Sequence, residues 1–242
     1  MKLAALALLL APALATAGPR VVLDPGHGGS NLGALGATGM REKELTLAIA
    51  TRVADRLRAH GVTVDLTRTG DQTLTLRQRV AFADARAADL FVSIHANASP
   101  TRTQRGWETW ILSAKGVATD ARALRSDVTT PRPGVDTDTA AILDDVERGA
   151  TQWEAADLAV RIQHALHDRR AGSAAAASGN GPADRGVRQE AHHVLLGATM
   201  PAVLVEVGFI DHPIEGRELA QPAVEDQLAD ALADAITEQL AD

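Results

Sequence analysis

Three apolar runs in this chain stop at a histidine or a glutamate. Val21-Val22-Leu23-Asp24-Pro25-Gly26 leads into His27, Leu90-Phe91-Val92-Ser93-Ile94 into His95, and Val203-Leu204-Val205 into Glu206. Apolar runs of this length, bounded by turn residues, read as buried strands. The carboxyl ends of parallel strands are where open α/β sheets build their sites. Imidazoles there can bind a metal or move a proton, and Glu42 supplies a natural third ligand. It precedes Leu45 by three residues and Ile49 by seven, so it shares the inward stripe of a helix whose N-terminus also favours an anion. Glu44 is rotated nearly to the opposite face and reads as solvated. Two imidazoles, one carboxylate and an open position are the usual composition of a catalytic zinc site. Each residue alone has an ordinary explanation; the metal reading draws its weight from the coincidence of all three.

Glu206 then needs a role. A carboxylate at the end of the run from Ala202 to Val205 is costly to bury unpaired. Low dielectric raises its pKa, which suits a general base; the alternative is a salt bridge to an arginine such as Arg185. Asp24 and Asn97 lie three and two positions from the histidines and are candidates for orienting the rings. Turn capping accounts for Asp24 equally well. His164 and His167 share a helix face without an evident third ligand, and His60 reads as a helix C-terminal cation. His212 and His193 are the remaining candidates to line a groove.

The elements that must position these residues follow from periodicity. A helix is expected from Arg41 to His60, with Leu45, Ile49, Val53 and Leu57 inward and Gly61 as its stop. A strand from Val62 to Thr67 follows, then a helix from Leu76 to Ala88 with Leu76, Val80 and Ala83 or Ala87 inward. Strands are expected over Asp89 to His95 and Trp107 to Leu112. Residues 113–148 read as an insertion, with a loop at Thr129 to Gly134 and a short helix from Thr139 to Glu147. A separate helix from Gln152 to His167 and an Ala/Ser/Gly linker from Gly172 to Gly181 come next. A strand pair (Val187 to Glu190, then His193 to Leu196), the Val203 strand and a closing helix from Val224 to Leu240 complete the chain. The alternation predicts a single α/β domain, a mostly parallel twisted sheet of about six strands with helices on both faces.

Composition narrows the function classes. The 242 residues suffice for a real core, which must be aliphatic because only 2% are aromatic. A net charge of −7 disfavours nucleic acid as a partner. Cysteine is absent, so any metal must be held by histidines and carboxylates. Lys2, the apolar run from Leu3 to Leu14 and the Ala15-Thr16-Ala17 site read as a signal peptide, 1–17, cleaved near Ala17. The mature chain, 18–242, is thus expected to be exported, periplasmic or secreted, with no transmembrane anchor, and to be a monomer.

The motifs Asp24-Pro25-Gly26-His27-Gly28-Gly29, Glu42-Lys43, Ser93-Ile94-His95-Ala96-Asn97, Arg185-Gly186-Val187 and Val205-Glu206-Val207-Gly208-Phe209 appear in order along the mature chain. Together they resemble the zinc-dependent N-acetylmuramoyl-L-alanine amidases, cell-wall hydrolases of the cell-separation type. The resemblance implies one Zn²⁺ on His27, Glu42 and His95, with Glu206 as the catalytic glutamate. It implies cleavage of the amide between the lactyl group of N-acetylmuramic acid and L-alanine of the peptidoglycan stem peptide. Glu206 would accept a proton from metal-activated water and return it to the leaving amine. Arg185 and His212 fall where substrate contacts are expected. Asn31-Leu32 replaces the Asp-Pro often seen in the glycine loop, and Asp211-His212 the Ser-Asn that often follows Gly-Phe-Ile; neither departure is expected to touch a ligand. In regulated members a helix in the region of 113–148 covers the site until a protein activator withdraws it, a part open here to Asp144, Asp145 and Glu147. The alternative is a solvated acidic helix. A zinc peptidase acting on stem peptides would use the same ligands, whereas a wall-binding module would be expected to lose one of the four site residues.

Overall fold

The structure is a computed structural model that describes residues 18–113, 133–134, 137–170 and 181–242. Residues 1–17, expected to be a signal peptide, residues 114–132 and 135–136 of the expected insertion, residues 171–180 of the expected linker and the side chains of Asp144 and Asp145 lie outside the described residues. Six strands form one sheet: β1 (Arg20–Pro25), β2 (Thr63–Leu66), β3 (Leu90–Asn97), β4 (Trp107–Leu112), β5 (Asp184–Glu190) and β6 (Ala202–Phe209). Their order is β2-β1-β3-β6-β4-β5. The first four run parallel, while β4 is antiparallel to β6 and parallel to β5.

The strands at the centre are apolar almost throughout because both faces are covered. Val21, Leu23, Val92, Ile94, Val203 and Val205 pack into the larger core, beneath α1 (Glu42–Ala59), α3 (Thr137–Arg170) and α5 (Pro222–Gln239). Val22, Phe91 and Leu204 turn to the other face and meet Ala83 of α2 (Leu76–Asp84) and Val194 and Leu195 of the stretch after β5. Alternation along the strands therefore decides which layer each side chain meets. His95, Glu206 and Glu108 fall on the second, more thinly covered face, with Phe91, Leu204 and Trp110.

Several expected elements change. The helices expected on either side of residue 150 are one, α3, because Gly149 in open space is tolerated inside a helix and no proline interrupts it. The expected strand from His193 to Leu196 is a turn, in which the Leu195 N–H donates to the His192 carbonyl at 2.9 Å and Val194 and Leu195 both enter the second core cluster. The second helix stops at Asp84, leaving Leu76 and Ala87 exposed, and its inward face carries Arg79 beside Val80 and Ala83. A short helix, α4 (Glu215–Leu219), follows β6. No helix among the described residues is long and apolar enough to cross a membrane.

Candidate metal centre and active site

β1, β3 and β6 are neighbours, so His27 just after β1, His95 in β3 and Glu206 in β6 lie side by side, although β3 and β6 do not stop at these residues as expected but run on to Asn97 and Phe209. The loop after β1 is held from beneath. Buried Asp24 accepts hydrogen bonds from Thr67 Oγ1 (2.5 Å), Arg79 Nη1 (2.7 Å) and Ser93 Oγ (2.8 Å). Arg79 also donates to the carbonyls of Pro25 (2.9 Å) and His27 (2.6 Å), and Arg68 to those of Pro25 (3.0 Å), Gly26 (2.8 Å) and Lys43 (2.8 Å). Two buried guanidiniums thus gather the carbonyl oxygens of a turn in which His27 takes a left-handed conformation, φ 61°. That conformation costs a non-glycine residue about 1–2 kcal/mol, which the gathered hydrogen bonds offset. Gly26 gives His95 its room: a Cβ there would sit 2.4 Å from the imidazole.

Glu42 opens α1 and reaches both rings. Its Oε1 lies 2.9 Å from His27 Nε2 and 3.0 Å from His95 Nδ1, and accepts the Ala96 N–H at 3.1 Å. Its Oε2 accepts the Ala34 N–H at 2.9 Å. One ligand atom from each of His27, Glu42 and His95 lies within 4.8 Å of the others, and this is the one such cluster among the described residues. Burial alone would raise the Glu42 pKa, but the two histidines outweigh it and hold the carboxyl below its ordinary value of 4.5. For His27 burial alone would lower the pKa; Glu42, aided by Asn31, holds it above 6.5. Two nitrogens and a carboxylate oxygen drawn together in this way suit zinc.

Glu206 is the register partner of His95 on one side and of Glu108 on the other. Its Oε2 is fully buried and has no hydrogen-bond partner among the described residues. Burial, then the nearby charges of Glu42 and Glu108, push its pKa well above 4.5. Arg185 does not neutralise it: that guanidinium pairs with Glu108 at 2.9 Å.

The other expected site residues are placed differently. Neither Asp24 nor Asn97 hydrogen-bonds to an imidazole; Asn97 donates to Glu108 Oε1 at 2.8 Å. Asn31 does so instead, its Oδ1 lying 2.8 Å from His27 Nδ1. The departure in the glycine loop therefore does touch a candidate ligand, and the expectation that it would not is corrected. His212 Nδ1 accepts the N–H groups of Ile214 and Glu215, both at 3.2 Å, so that nitrogen serves the start of α4. Glu44 is exposed, as expected, and from there accepts the Arg41 N–H at 3.0 Å, which ties down the start of α1. Glu147 is exposed on α3. Arg68, Arg79, Asn31 and Glu108 escaped the sequence reading because each acts through a contact that only the pairing of distant segments creates.

An α/β sheet of this order that sets a buried acid beside a His/Glu/His cluster able to hold a metal ion has the make-up of a hydrolytic site. The family model for N-acetylmuramoyl-L-alanine amidase matches residues 21–238. N-acetylmuramoyl-L-alanine amidase AmiA of Escherichia coli is 34% identical over 230 residues, covering 89% of this chain and 74% of its own. Among solved structures, an N-acetylmuramoyl-L-alanine amidase from Clostridium difficile superposes with a TM-score of 0.70 at 28% identity, covering 93% of this chain and 98% of that one. AmiC2 of Nostoc punctiforme gives 0.68 at 28% identity, with 93% and 98% covered. The chain belongs to the N-acetylmuramoyl-L-alanine amidase family and is a peptidoglycan amidase.

Proposed function

We propose that this amidase works with one zinc ion held by His27, Glu42 and His95, and with Glu206 as general base and acid. The observation that carries the reading is the gathered His/Glu/His trio beside a buried carboxylate oxygen with no partner among the described residues. A zinc ion there supplies Lewis acidity, acidifying water and polarising a carbonyl oxygen. Asn31 Oδ1 accepts a hydrogen bond from the Nδ1–H of His27 and so leaves the Nε2 lone pair, beside Glu42, free to hold the metal. Glu206, with its raised pKa, takes a proton from water as the oxygen adds to the lactyl carbonyl carbon. The same proton passes to the departing nitrogen as the carbon–nitrogen bond breaks, which releases a muramic acid carboxyl group and a stem peptide with a free L-alanine amine.

Residues 1–17 act as a cleaved leader in this reading, 18–242 as the catalytic domain of an exported monomer, and 113–148 as a regulatory segment. Exposed Leu143, Val146 and Trp153 along this part of α3 offer a protein activator an apolar face. Asp144, Asp145 and Glu147 are the acids through which the segment would restrain the site. Mass spectrometry of the soluble products from purified peptidoglycan tests the reaction. Stem peptides with an unblocked N-terminal L-alanine are expected; shortened peptides still attached to muramic acid would replace the amidase reading with a peptidase.

A further inference from the structure

β5 contains one residue more than its neighbour over the same stretch: Trp107 pairs with Asp184, but Thr109 pairs with Val187. The extra residue is taken up around Gly186, whose φ is 76° and where a Cβ would meet open space. Glycine is therefore needed there for its backbone conformation, not for room. Bulges of this kind bend a strand and re-aim its side chains, and they concentrate beside active sites. Arg185 and Arg188 are three residues apart, a spacing that sends side chains to opposite faces of a regular strand. Here both turn to one carboxylate, each with its Nε 2.9 Å from Glu108 Oε2.

Glu108 is buried and accepts Asn97 on its other oxygen, so it acts as a fixed support. Arg185 lies against the Phe209 ring (5.1 Å to the centroid) and Arg188 beside Trp110 (5.8 Å), which limits how either side chain can swing. Two guanidiniums share one carboxylate, and no other carboxylate of the described residues pairs with either. One positive charge is left over, and the Arg188 side chain is 43% exposed. Glu108 is the register partner of Glu206, itself the partner of His95. With strands about 4.8 Å apart, the arginines lie roughly 10–15 Å along the sheet from the candidate metal ligands. An extended peptide advances about 3.3 Å per residue, so the third residue beyond the scissile amide comes to about 10 Å and its side chain carries a carboxylate into that range.

We propose that Arg185 and Arg188, set on Glu108 by the bulge at Gly186, form a subsite for a carboxylate of the departing stem peptide, a role that rests on the amidase reading above. Arg188 is the specificity-determining member because it is the more exposed. The test compares a muramoyl tripeptide bearing free stem carboxyl groups with the same tripeptide carrying them as amides. Wild type is expected to prefer the free acid by about tenfold to a hundredfold in kcat/KM, expressed mainly in KM, as for charge-assisted hydrogen bonds. Arg188→Ala is expected to bring that ratio close to one, and Arg188→Lys to retain part of it. A wild type without preference, or an Arg188→Ala variant slowed equally on both substrates, would overturn the subsite. Calorimetric binding of both tripeptides to Glu206→Gln protein, with and without Arg188→Ala, reads the same ratio without turnover. If wild type cuts no muramoyl amide, the amidase reading fails, while these binding ratios still decide the subsite.

Discussion

Glu206 and the Glu42 carboxylate sit on the same small stretch of sheet edge, and opposite surroundings drive their proton affinities apart. Glu42 meets two imidazoles and two backbone N–H groups; Oε2 of Glu206 meets none of these. One is thereby suited to hold a cation and the other to carry a proton. Glu206→Gln is expected to lower kcat by about 10²–10⁴-fold while zinc content, measured by elemental analysis, stays unchanged. Loss of zinc in that variant would assign Glu206 to the ligand set. Asn31→Ala frees the Nδ1 side of His27 and is expected to weaken zinc about 10–100-fold in a chelator competition, with Asn31→Asp retaining the affinity. Without metal, the raised pKa of His27 contributes stability that is complete below 6.5 and is lost as pH rises through the raised value. The lowered pKa of Glu42 contributes stability above 4.5 that is lost as pH falls through its folded value. The metal-free cluster thus stabilises most between these limits, whereas zinc needs neutral imidazoles and binds better as pH rises. Calorimetry is expected to find a larger drop in Tm on chelation near about pH 8 than near about pH 5.5; the reverse order would detach zinc from these histidines.

Among the elements, α2 contributes most to the site without entering it. Its inward face delivers Arg79, which joins Asp24 beneath the sheet end to the His27 carbonyl above it. Removing one member of a buried ion pair leaves the other charge stranded, so Arg79→Met is expected to cost about 3–5 kcal/mol in urea denaturation. Combining it with Asp24→Asn is expected to recover part of that loss; simple additivity would mean that the pair is not coupled. Thr75 caps this helix by accepting the Gln78 N–H, which fixes where Arg79 emerges. A residue that sequence periodicity places on an apolar stripe here serves as a polar strut.

Over the whole molecule, the thick helical layer and the site occupy different sides of the sheet. α1, α3 and α5 are joined at their outer surfaces by arginine–carboxylate pairs, among them Arg52 with Glu225 (3.0 Å) and Arg169 with Asp230 (3.2 Å), and Arg56 bridges Asp226 and Asp230. This layer leaves the opposite, more thinly covered face to His95, Glu206 and Glu108. Along α3 the described residues that enter the core begin at Ala155, so removing residues 120–145 spares the packed part of that helix. Such a deletion is expected to raise the release of stem peptides from wall sacculi severalfold. An unchanged or lower rate would remove the regulatory part assigned to 113–148.

Much of the site was legible in the sequence because its signals are local. A strand that gives way to glycine around His27, an apolar run that leads into Glu206 and a first-turn acid in phase with Leu45 each need only near neighbours to be recognised. The aliphatic alternation likewise determined a mostly parallel α/β sheet, since runs apolar on both faces must be covered on both. What only the tertiary structure decided are the pairings across distance: Asn31 on His27 through the turn of the loop, Arg79 beneath His27 through the docking of α2, and Glu108 beside Glu206 through strand register. The joint hold of Arg185 and Arg188 on Glu108 belongs with these, because it depends on one extra residue in β5. Periodicity states which side of an element is buried; only the packed chain states which charge waits there, because that partner comes from tens of residues away.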